Sequence, residues 1–448
     1  MRPDDLAAAI ISSVLSSTAR LDPAAIDEIV WGNANGAGED NRNIGRMAGL
    51  LAGLPVSVPA TTVNRLCGSS LDAVMIGSRT IVSHDADIVL VGGVESMTRA
   101  PWVLPKPDRA FPPADTTAVS TALGWRLVNP LMRQEWTVSL GAANEQLQER
   151  FGITRERQDA FATRSHQLAH AAWEEGFYQD LVAPVAGTDV VRDEGIRPAS
   201  TPETLASLKA VFRRDGTITA GNSSPLSDGA SAILLGSEAA ADRIGREPLA
   251  RIAGRAAFAL EPQEFGIAPV QAGNAALARA GVRWDEVGAV ELNEAFAVQA
   301  LACVDAWPVD PVIVNQRGGA IAIGHPLGAS GGGWWEPLRK CFARLTSAGV
   351  SRPSASVSAK VSPSCWKLNR LANRRDRRSA LFPVPSSTNP PHWGLVGHIV
   401  ERENKAGCWS GGDESGSMSA SVSRTLTLSG SLRRQPATSR WASRMGVI

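Results

Sequence analysis

Short apolar runs that end in glycine or asparagine alternate with segments of helical spacing along much of this chain. The runs include IDEIVWGNA, TTVN and ADIVLVGGV, and similar ones return in SAILLGSEAAADRIG, ARIAGRAAFA and AVELNEAFAVQALACV. Residues 4–16 keep apolar positions at helical spacing and carry acidic residues in the first turn, which predicts an opening helix. Because buried central strands read as continuous apolar runs, the alternation predicts an α/β fold.

The alternation is interrupted from about residue 98 to residue 216. Pro-rich stretches such as APWVLPKPDRAFPP are followed there by long amphipathic segments such as TRERQDAFATRSHQLAHAAWEEG. We interpret this region as a mainly helical subdomain inserted into a first half that spans residues 1–240. A second half of similar type follows over residues 247–331.

The composition changes again near Gly331. Residues 332–448 contain 18 of the 45 Lys and Arg residues but only 6 of the 44 Asp and Glu residues, and they show no hydrophobic period. This Arg-, Ser- and Trp-rich tail is predicted to be disordered or loosely packed. Its arginines are not organised on any face, so the sequence does not favour nucleic-acid binding.

Several protein classes are excluded by what the sequence lacks. No run of 18 apolar residues is present and the first residues do not resemble a signal peptide, so we predict a cytoplasmic protein with no membrane partner. The five cysteines show no CxxC pair or metal-ligand spacing, which favours neither a disulfide framework nor a zinc site. They are Cys67, Cys303, Cys341, Cys365 and Cys408.

The segment TTVNRLCGSSLDAVMIGSRTIV places Cys67 between an apolar run and small residues that open a helix. Free amides and the helix dipole at such a position favour the thiolate form of a cysteine. Leu71, Val74, Met75 and Ile81 would form the inner face of that helix. The alternative is that Cys67 is a small buried apolar residue without a chemical role.

Two further segments place polar residues after apolar strands. In ELNEAFAVQAL, Asn293 and Glu294 end a buried strand, a position that often lines a site, although Asn293 could simply cap the next helix. In NQRGGAIAIGHPLGASG, His325 lies on a Gly-rich loop. A lone histidine is more often structural than catalytic, and Gly-rich loops also occur as plain turns.

Together these segments resemble the thiolase family. VNRLCGSS resembles its nucleophile segment, NEAF its Asn-Glu-Ala-Phe motif, and GGAIAIGHPLGASG its Gly-His-Pro motif. GGVESMTRAPW and TITAGNSSPLSDGASAILL agree with two other family segments, so the resemblance runs from about Arg2 to Gly331. It implies the thiolase fold, in which two similar five-stranded α/β halves form a layered αβαβα arrangement with an inserted loop domain.

The resemblance also implies a ping-pong acyl transfer. Cys67 would attack the keto carbon of a 3-oxoacyl-CoA, His325 would act as its base, and Asn293 would hold a water that stabilises an oxyanion. Ser224, Glu294 and Gly324 would line the coenzyme A site, with the Ser224 hydroxyl near the pantetheine and Glu294 in a supporting role. Coenzyme A and acyl-CoA are substrates, no metal or other cofactor is implied, and intact relatives are expected to be homodimers or homotetramers.

Two departures from the family make both halves incomplete. Thiolases begin with a strand that would precede residue 1, and they carry a second catalytic cysteine in a Cys-x-Gly motif after Gly-His-Pro. Here that stretch reads SRPSASVSAKVSPSCWK, and the tail cysteines Cys341, Cys365 and Cys408 have the wrong context. A shifted frame over residues 354–367, with permitted codons, reads Cys-Val-Gly-Val-Gly-Gln-Gly-Val-Ala-Leu-Val-Leu-Glu. We therefore hypothesise a frameshift between Gly331 and Trp335.

Two other functions stay open at this point. A decarboxylating ketoacyl synthase has related architecture, although NEAF and GHPLGASG speak against it. An inactive thiolase remnant would follow from the altered tail. Within thiolases, GEDNRNIGRMAGLLAGLP and GWRLVNP resemble the bacterial β-ketoadipyl-CoA and degradative branch.

Overall fold

A computed structural model describes residues 1–111, 114–179, 181–185 and 187–333, together with two strands beyond them. In chain order the strands are β1 (Glu28–Gly32), β2 (Ala60–Val63), β3 (Ile88–Ser96), β4 (Trp102–Val103), β5 (Val119–Ser120), β6 (Asp228–Gly236), β7 (Arg251–Ala256), β8 (Val287–Leu292), β9 (Ala355–Ala359) and β10 (Cys365–Asn369).

Eleven α-helices lie in the described part of the chain, joined by short 3-10 turns. They are α1 (Pro3–Ser17), α2 (Ile44–Leu51), α3 (Ser69–Val82), α4 (Leu140–Phe151), α5 (Arg155–Glu174), α6 (Pro202–Ala206), α7 (Ala241–Ile244), α8 (Ala268–Arg279), α9 (Ala297–Ala306), α10 (Ala320–Ile323) and α11 (Ser330–Gly333).

The first half contains a four-stranded sheet in the order β2-β1-β3-β6. β1 pairs in parallel with β2 and β3, and β6 runs antiparallel to β3. All nine residues of β3 are buried, which explains why its sequence is a continuous apolar run rather than an alternating one. The apolar runs predicted as strands in this half are confirmed.

The second half repeats this order. Its sheet runs β7-β10-β9-β8, with β8 and β9 parallel, β10 antiparallel to β9, and a parallel bridge from Val290 of β8 to Val314 beyond it. β1, β3 and β6 thus correspond to β8, β9 and β10. Within the described residues, β7 has no counterpart in the first sheet.

β9 and β10 differ from the sequence-based expectation for the tail. We expected no ordered element between residues 332 and 448, but these ten residues complete the second sheet. That expectation is wrong for them, because ladder hydrogen bonds join backbone groups and can form without a matching side-chain pattern. The expected disorder of the remaining tail falls outside the described residues.

The helices cover both sheets in layers. α1 and α2 pack on one face of the first sheet, and α3 and α11 pack on the other. α8 packs on β7 and β10 of the second sheet, next to α9. A single apolar core joins the first sheet and α3 to Ala289 of β8, so the two halves share their inner layer. The predicted layered αβαβα arrangement is confirmed.

The inserted region between residues 98 and 216 contains α4, α5 and α6, with the short β4–β5 ribbon at its beginning. α5 packs on α9 and α10 of the second half, so the insertion lies against the segments that carry Glu294 and precede His325. None of the helices in the described ranges combines the length and the apolarity needed to cross a membrane.

Trp31 of β1 is the largest fully buried side chain of the described residues. Gly45 and Gly92 both lie close to it. A Cβ atom at position 92 would lie 2.7 Å from its ring. The indole therefore fills the space between β1, β3 and α2 without slack.

We predict that Trp31→Ala lowers the free energy of unfolding by about 3–5 kcal/mol, because it empties a site whose neighbours are fixed by glycines. Urea unfolding of the purified chain measures this. Trp125→Ala is the matched control, since the Trp125 side chain is 50% exposed. Equal losses for the two variants would contradict the packing described here.

Candidate active site

Cys67 lies on a tight turn between β2 and α3. Leu66 before it has a left-handed backbone (φ 48°), and Gly68 after it is the N-cap of α3, so the predicted position at a helix N-terminus is confirmed. The Ser69 hydroxyl accepts from Arg65 N–H at 2.9 Å and donates to the Leu66 carbonyl at 2.6 Å. The turn is fixed by these bonds, and Cys67 is half-buried rather than enclosed in the core.

The four residues predicted for the inner face of α3 are all buried. Leu71, Val74 and Met75 are fully buried and Ile81 nearly so. The apolar face anchors α3 under the first sheet, which leaves the residues before its first turn at the carboxyl end of β1 and β2.

His325 is buried, with 4% of its surface exposed, and each polar atom of its ring has a defined neighbour. Nδ1 lies 2.8 Å from the Ser330 hydroxyl, which itself donates to the Pro326 carbonyl at 2.8 Å. Because that hydroxyl has one proton, we assign the Nδ1 proton to the bond with Ser330. Nε2 then carries a lone pair, as a base requires.

Gly324 determines how His325 enters the site. Its φ of 93° with ψ 165° lies in a region that side chains rarely adopt, and a Cβ atom there would lie 2.6 Å from Ser227 Oγ. The same Ser227 hydroxyl accepts the His325 backbone N–H at 3.0 Å. Gly324 therefore sets the backbone conformation that leads into His325. A direct contact of Gly324 with coenzyme A stays a prediction.

Asn293 follows β8 and lies beside His325. Its Nδ2 is 3.3 Å from His325 Nε2, and within the described residues its buried Oδ1 has no hydrogen-bond partner. The alternative role as a helix cap is wrong, because α9 begins after Phe296 and has no side-chain cap. A buried amide oxygen that lacks a partner is suited to a bound water or a substrate group.

Glu294 is buried in a network that joins three segments. Its carboxylate accepts from Ser165 Oγ of α5 at 2.6 Å, Asn315 Nδ2 at 2.7 Å and Ile321 N–H of α10 at 3.2 Å. Burial raises the pKa of the Glu294 carboxyl, and these three hydrogen bonds oppose the shift. Glu294 therefore holds the inserted domain against the segment that precedes His325, as its predicted supporting role requires.

Ser224 lies beside the NEAF segment. Its N–H and hydroxyl both donate to the Ala295 carbonyl, at 3.0 and 3.2 Å, and Asn222 O accepts from Ala297 N–H at 2.9 Å. The two segments are therefore paired next to Asn293. The predicted contact of the Ser224 hydroxyl with coenzyme A stays a prediction.

The loop of His325 packs on the first turn of α3. Gly332 N–H donates to Ser70 Oγ at 3.0 Å, and a Cβ atom at Gly331 would lie 2.6 Å from the same oxygen. A Cβ atom at Gly32 would lie 2.7 Å from the Gly328 carbonyl. This contact brings the second half, with His325 and Asn293, to the helix terminus that follows Cys67.

Sequence reasoning missed four polar residues that position these groups. They are Ser165, Ser227, Asn315 and Ser330. Ser330 alone had a local signal, since it lies five residues after His325 in the same motif. The other three meet their partners only through the tertiary fold, and no spacing along the chain indicates them.

Of the remaining cysteines, Cys303 is fully buried, and burial raises the pKa of its thiol to about 12. It is therefore a poor nucleophile. Cys341 and Cys408 lie outside the described residues, and of Cys365 only the backbone in β10 is described. No group of three or more His, Cys, Asp and Glu side chains in the described ranges is arranged to hold a metal ion.

Family models for the thiolase N-terminal and C-terminal domains match residues 1–239 and 246–347. The chain belongs to the thiolase family. It is an acyltransferase by this membership, and thiolytic acyl transfer with coenzyme A is the family reaction. The C-terminal match continues past Gly331, where the sequence analysis ended the second half.

Named thiolases and solved thiolase structures are similar to the chain. A β-ketoadipyl-CoA thiolase of Escherichia coli is 46% identical over 341 residues, which cover 74% of this chain and 85% of that protein. One from Acinetobacter baylyi is 44% identical over 342 residues, with the same coverage. The crystal structure of human mitochondrial 3-ketoacyl-CoA thiolase matches with a TM-score of 0.75 and 32% identity, covering 83% of this chain and 94% of that one.

We predict that Gly324→Ala slows alkylation of Cys67 by iodoacetamide on the order of tenfold. An alanine at this position would shift the backbone that leads into His325, the proposed base. Peptide mass spectrometry after timed labelling measures the rate. Gly53→Ala is the matched control, since Gly53 also has a positive φ (85°) but nothing within 4 Å of a Cβ atom. If both variants label at the wild-type rate, the assigned role of Gly324 is wrong.

Proposed function

We propose that the chain forms an acyl-thioester on Cys67 from an acyl-CoA, with His325 as the base. The observation that carries this proposal is the set of hydrogen-bond partners around the His325 ring, from which its tautomer is assigned. The Nδ1 proton bonds to Ser330, and Nε2 faces the amide of Asn293 at 3.3 Å. Nε2 would take the Cys67 thiol proton, and the thiolate would attack the acyl carbon.

Asn293 would act at the next step. Attack turns the carbonyl oxygen into an oxyanion, which needs hydrogen-bond donors in place beforehand. A water bound to the unpartnered Oδ1 of Asn293 would supply one donor, and backbone N–H groups at the first turn of α3 would supply others. Release of coenzyme A leaves the acyl group on Cys67, and a second coenzyme A thiol then takes it.

Carbon–carbon cleavage of a 3-oxoacyl-CoA needs one more group. The leaving acetyl-CoA departs as a carbanion at its α-carbon and must receive a proton, which the family resemblance assigns to a cysteine in a Cys-x-Gly motif. The sequence has no Cys-x-Gly. We therefore propose that thioester exchange is retained and that cleavage is impaired.

The substrate class follows the relatives. The thiolases that are 42–46% identical to this chain include several β-ketoadipyl-CoA thiolases. Another of these relatives is named a 3-oxoadipyl-CoA/3-oxo-5,6-dehydrosuberyl-CoA thiolase. We propose a 3-oxoacyl-CoA of this dicarboxylic type as the substrate of the intact reaction. No cofactor besides the substrate coenzyme A is proposed, and a cytoplasmic location agrees with the composition.

Incubation with acetyl-CoA tests acyl-enzyme formation. We expect one acetyl group on the Cys67 peptide by mass spectrometry, and a loss of about 100-fold in its rate of formation in His325→Ala, because a general base contributes about that factor. Cys303→Ala is the control and should acetylate at the wild-type rate. Acetylation that persists in Cys67→Ser would show that another residue carries the acyl group.

The same preparation separates exchange from cleavage. We expect acetyl transfer between acetyl-CoA and coenzyme A but no measurable thiolysis of acetoacetyl-CoA, because the sequence has no Cys-x-Gly motif to supply the proton of the leaving carbanion. The absorbance of the acetoacetyl-CoA enolate follows the second reaction. Cleavage at a rate similar to that of a full-length thiolase would refute the proposed impairment.

We also propose that the chain self-associates through residues 102–132 of the inserted region. Large apolar side chains are exposed at several positions in the described parts of this stretch, with Phe111 at 91% and Leu131 at 92%. Exposed apolar patches on this scale mark interaction surfaces. The resemblance to thiolases supports another copy of the chain as the partner.

Leu131→Asp is expected to shift the molecular mass in solution towards the monomer, because it places a charge in the proposed contact. Light scattering after size exclusion measures the mass. Val312→Asp, which adds the same charge to an exposed valine of the second half, is the control. Equal masses for the two variants and the wild type would contradict this surface.

A further inference from the structure

Glu95 is a fully buried carboxylate near the carboxyl end of β3. Its two oxygens accept three backbone N–H groups, from Ala34 at 2.9 Å, Asn35 at 3.1 Å and Gly328 at 2.9 Å. Ala34 and Asn35 follow β1 in the first half, whereas Gly328 belongs to the second half. Glu95 therefore joins two loops that are far apart in the sequence.

One of these bonds reaches the loop of His325. Gly328 lies three residues after His325 and two before Ser330, the residue that orients the imidazole. A Cβ atom at position 328 would lie 2.6 Å from the Val94 carbonyl and 2.9 Å from Glu95 Oε2. The loop is thus pressed onto β3 at this point, and Glu95 is the acceptor that its N–H meets.

The other bonds reach the turn of Cys67. Ala34 donates to Glu95 through its N–H. The carbonyl of the same residue accepts from Asn64 Nδ2 at 2.7 Å. Asn64 Oδ1 in turn accepts from Leu66 N–H at 2.9 Å, directly before Cys67. A continuous path of hydrogen bonds therefore runs from the His325 loop through Glu95 to the nucleophile turn.

We propose that Glu95 is a positioning residue that keeps the His325 loop and the Cys67 turn in register, so that the base meets the thiol. The inference rests on the proposed function, because it assumes that Cys67 and His325 act together. Glu95 does not touch the substrate in this scheme. It acts only through the backbone of Gly328 and through Ala34 and Asn64.

A carboxylate is suited to this position because both of its oxygens accept and neither donates. Glutamine keeps one oxygen and would turn its amide N–H groups towards at least one of the three backbone donors. Burial, together with the nearby Asp40 carboxylate, raises the pKa of Glu95 to about 7 against the opposing effect of the three N–H groups. The ionised form therefore predominates above neutral pH, so the tests belong at pH 8.

Iodoacetamide labelling of Cys67 at pH 8 tests the proposal without acyl-CoA. Glu95→Gln is expected to slow the labelling about ten- to hundredfold, because a small misplacement of a base costs a factor of that size. Glu28→Gln is the matched control on the neighbouring strand β1, at the opposite end of the sheet, and should label like the wild type. Cys303, which is buried, reports unfolding in the same digest because it labels only when the core opens.

A second variant covers the case in which Glu95→Gln does not fold. Asn64 is exposed, so Asn64→Ala breaks the same path at the surface and should also slow the labelling. Labelling of Asn64→Ala at the wild-type rate would overturn the proposal if Glu95→Gln cannot be obtained. Labelling of folded Glu95→Gln at the wild-type rate would overturn it directly.

A double-mutant cycle with His325→Ala separates positioning from a general structural role. If Glu95 acts by aligning His325, then Glu95→Gln adds no further loss once His325 is absent. Losses that multiply would overturn the proposal. Because the labelling needs no acyl transfer, a chain that fails to form an acetyl-enzyme would refute the proposed function while leaving this test decisive.

Discussion

The close contact between the glycine-rich loop after His325 and the first turn of α3 is the constraint on which the site depends. Gly32, Gly93, Gly328 and Gly331 all lie where a Cβ atom would collide with backbone or with α3. The two halves can therefore approach at the level of the backbone rather than at that of side chains. This approach brings the loop that follows His325 to the first turn of the helix that follows Cys67.

Two buried carboxylates complement that contact. Glu95 binds N–H groups from both halves, and Glu294 joins α5 of the inserted domain to Asn315 and α10. Burial of a carboxylate is unfavourable unless donors surround it, and burial raises the pKa of each group while its donors oppose the shift. Such groups stabilise one arrangement of loops over others rather than the fold as a whole.

The sequence predicted the fold well because the buried strands follow local patterns along the chain. Buried parallel strands give continuous apolar runs, and Asn293 directly follows one of them. Cys67 lies on the turn after β2, and His325 follows the short helix α10. The positioning residues were not predicted, since Ser227 meets His325 and Ser165 meets Glu294 across separations of 98 and 129 residues. The strands β9 and β10 were missed for a different reason, because their sequences lack the apolar pattern of the other strands.

Thioester exchange and carbon–carbon cleavage need different groups, and they differ in whether one of these groups must come from residues 332–448. Exchange of a thioester expels a thiolate, which is a stable leaving group near neutral pH, so the roles proposed for Cys67, His325 and the oxyanion donors suffice. Cleavage between carbons expels a far stronger base, and its transition state needs an acid held at the α-carbon. Every group proposed for the first reaction lies before Gly333, within the described residues. The sequence beyond that point offers no Cys-x-Gly, so under the proposed function the two reactions that a thiolase couples become separable in this chain.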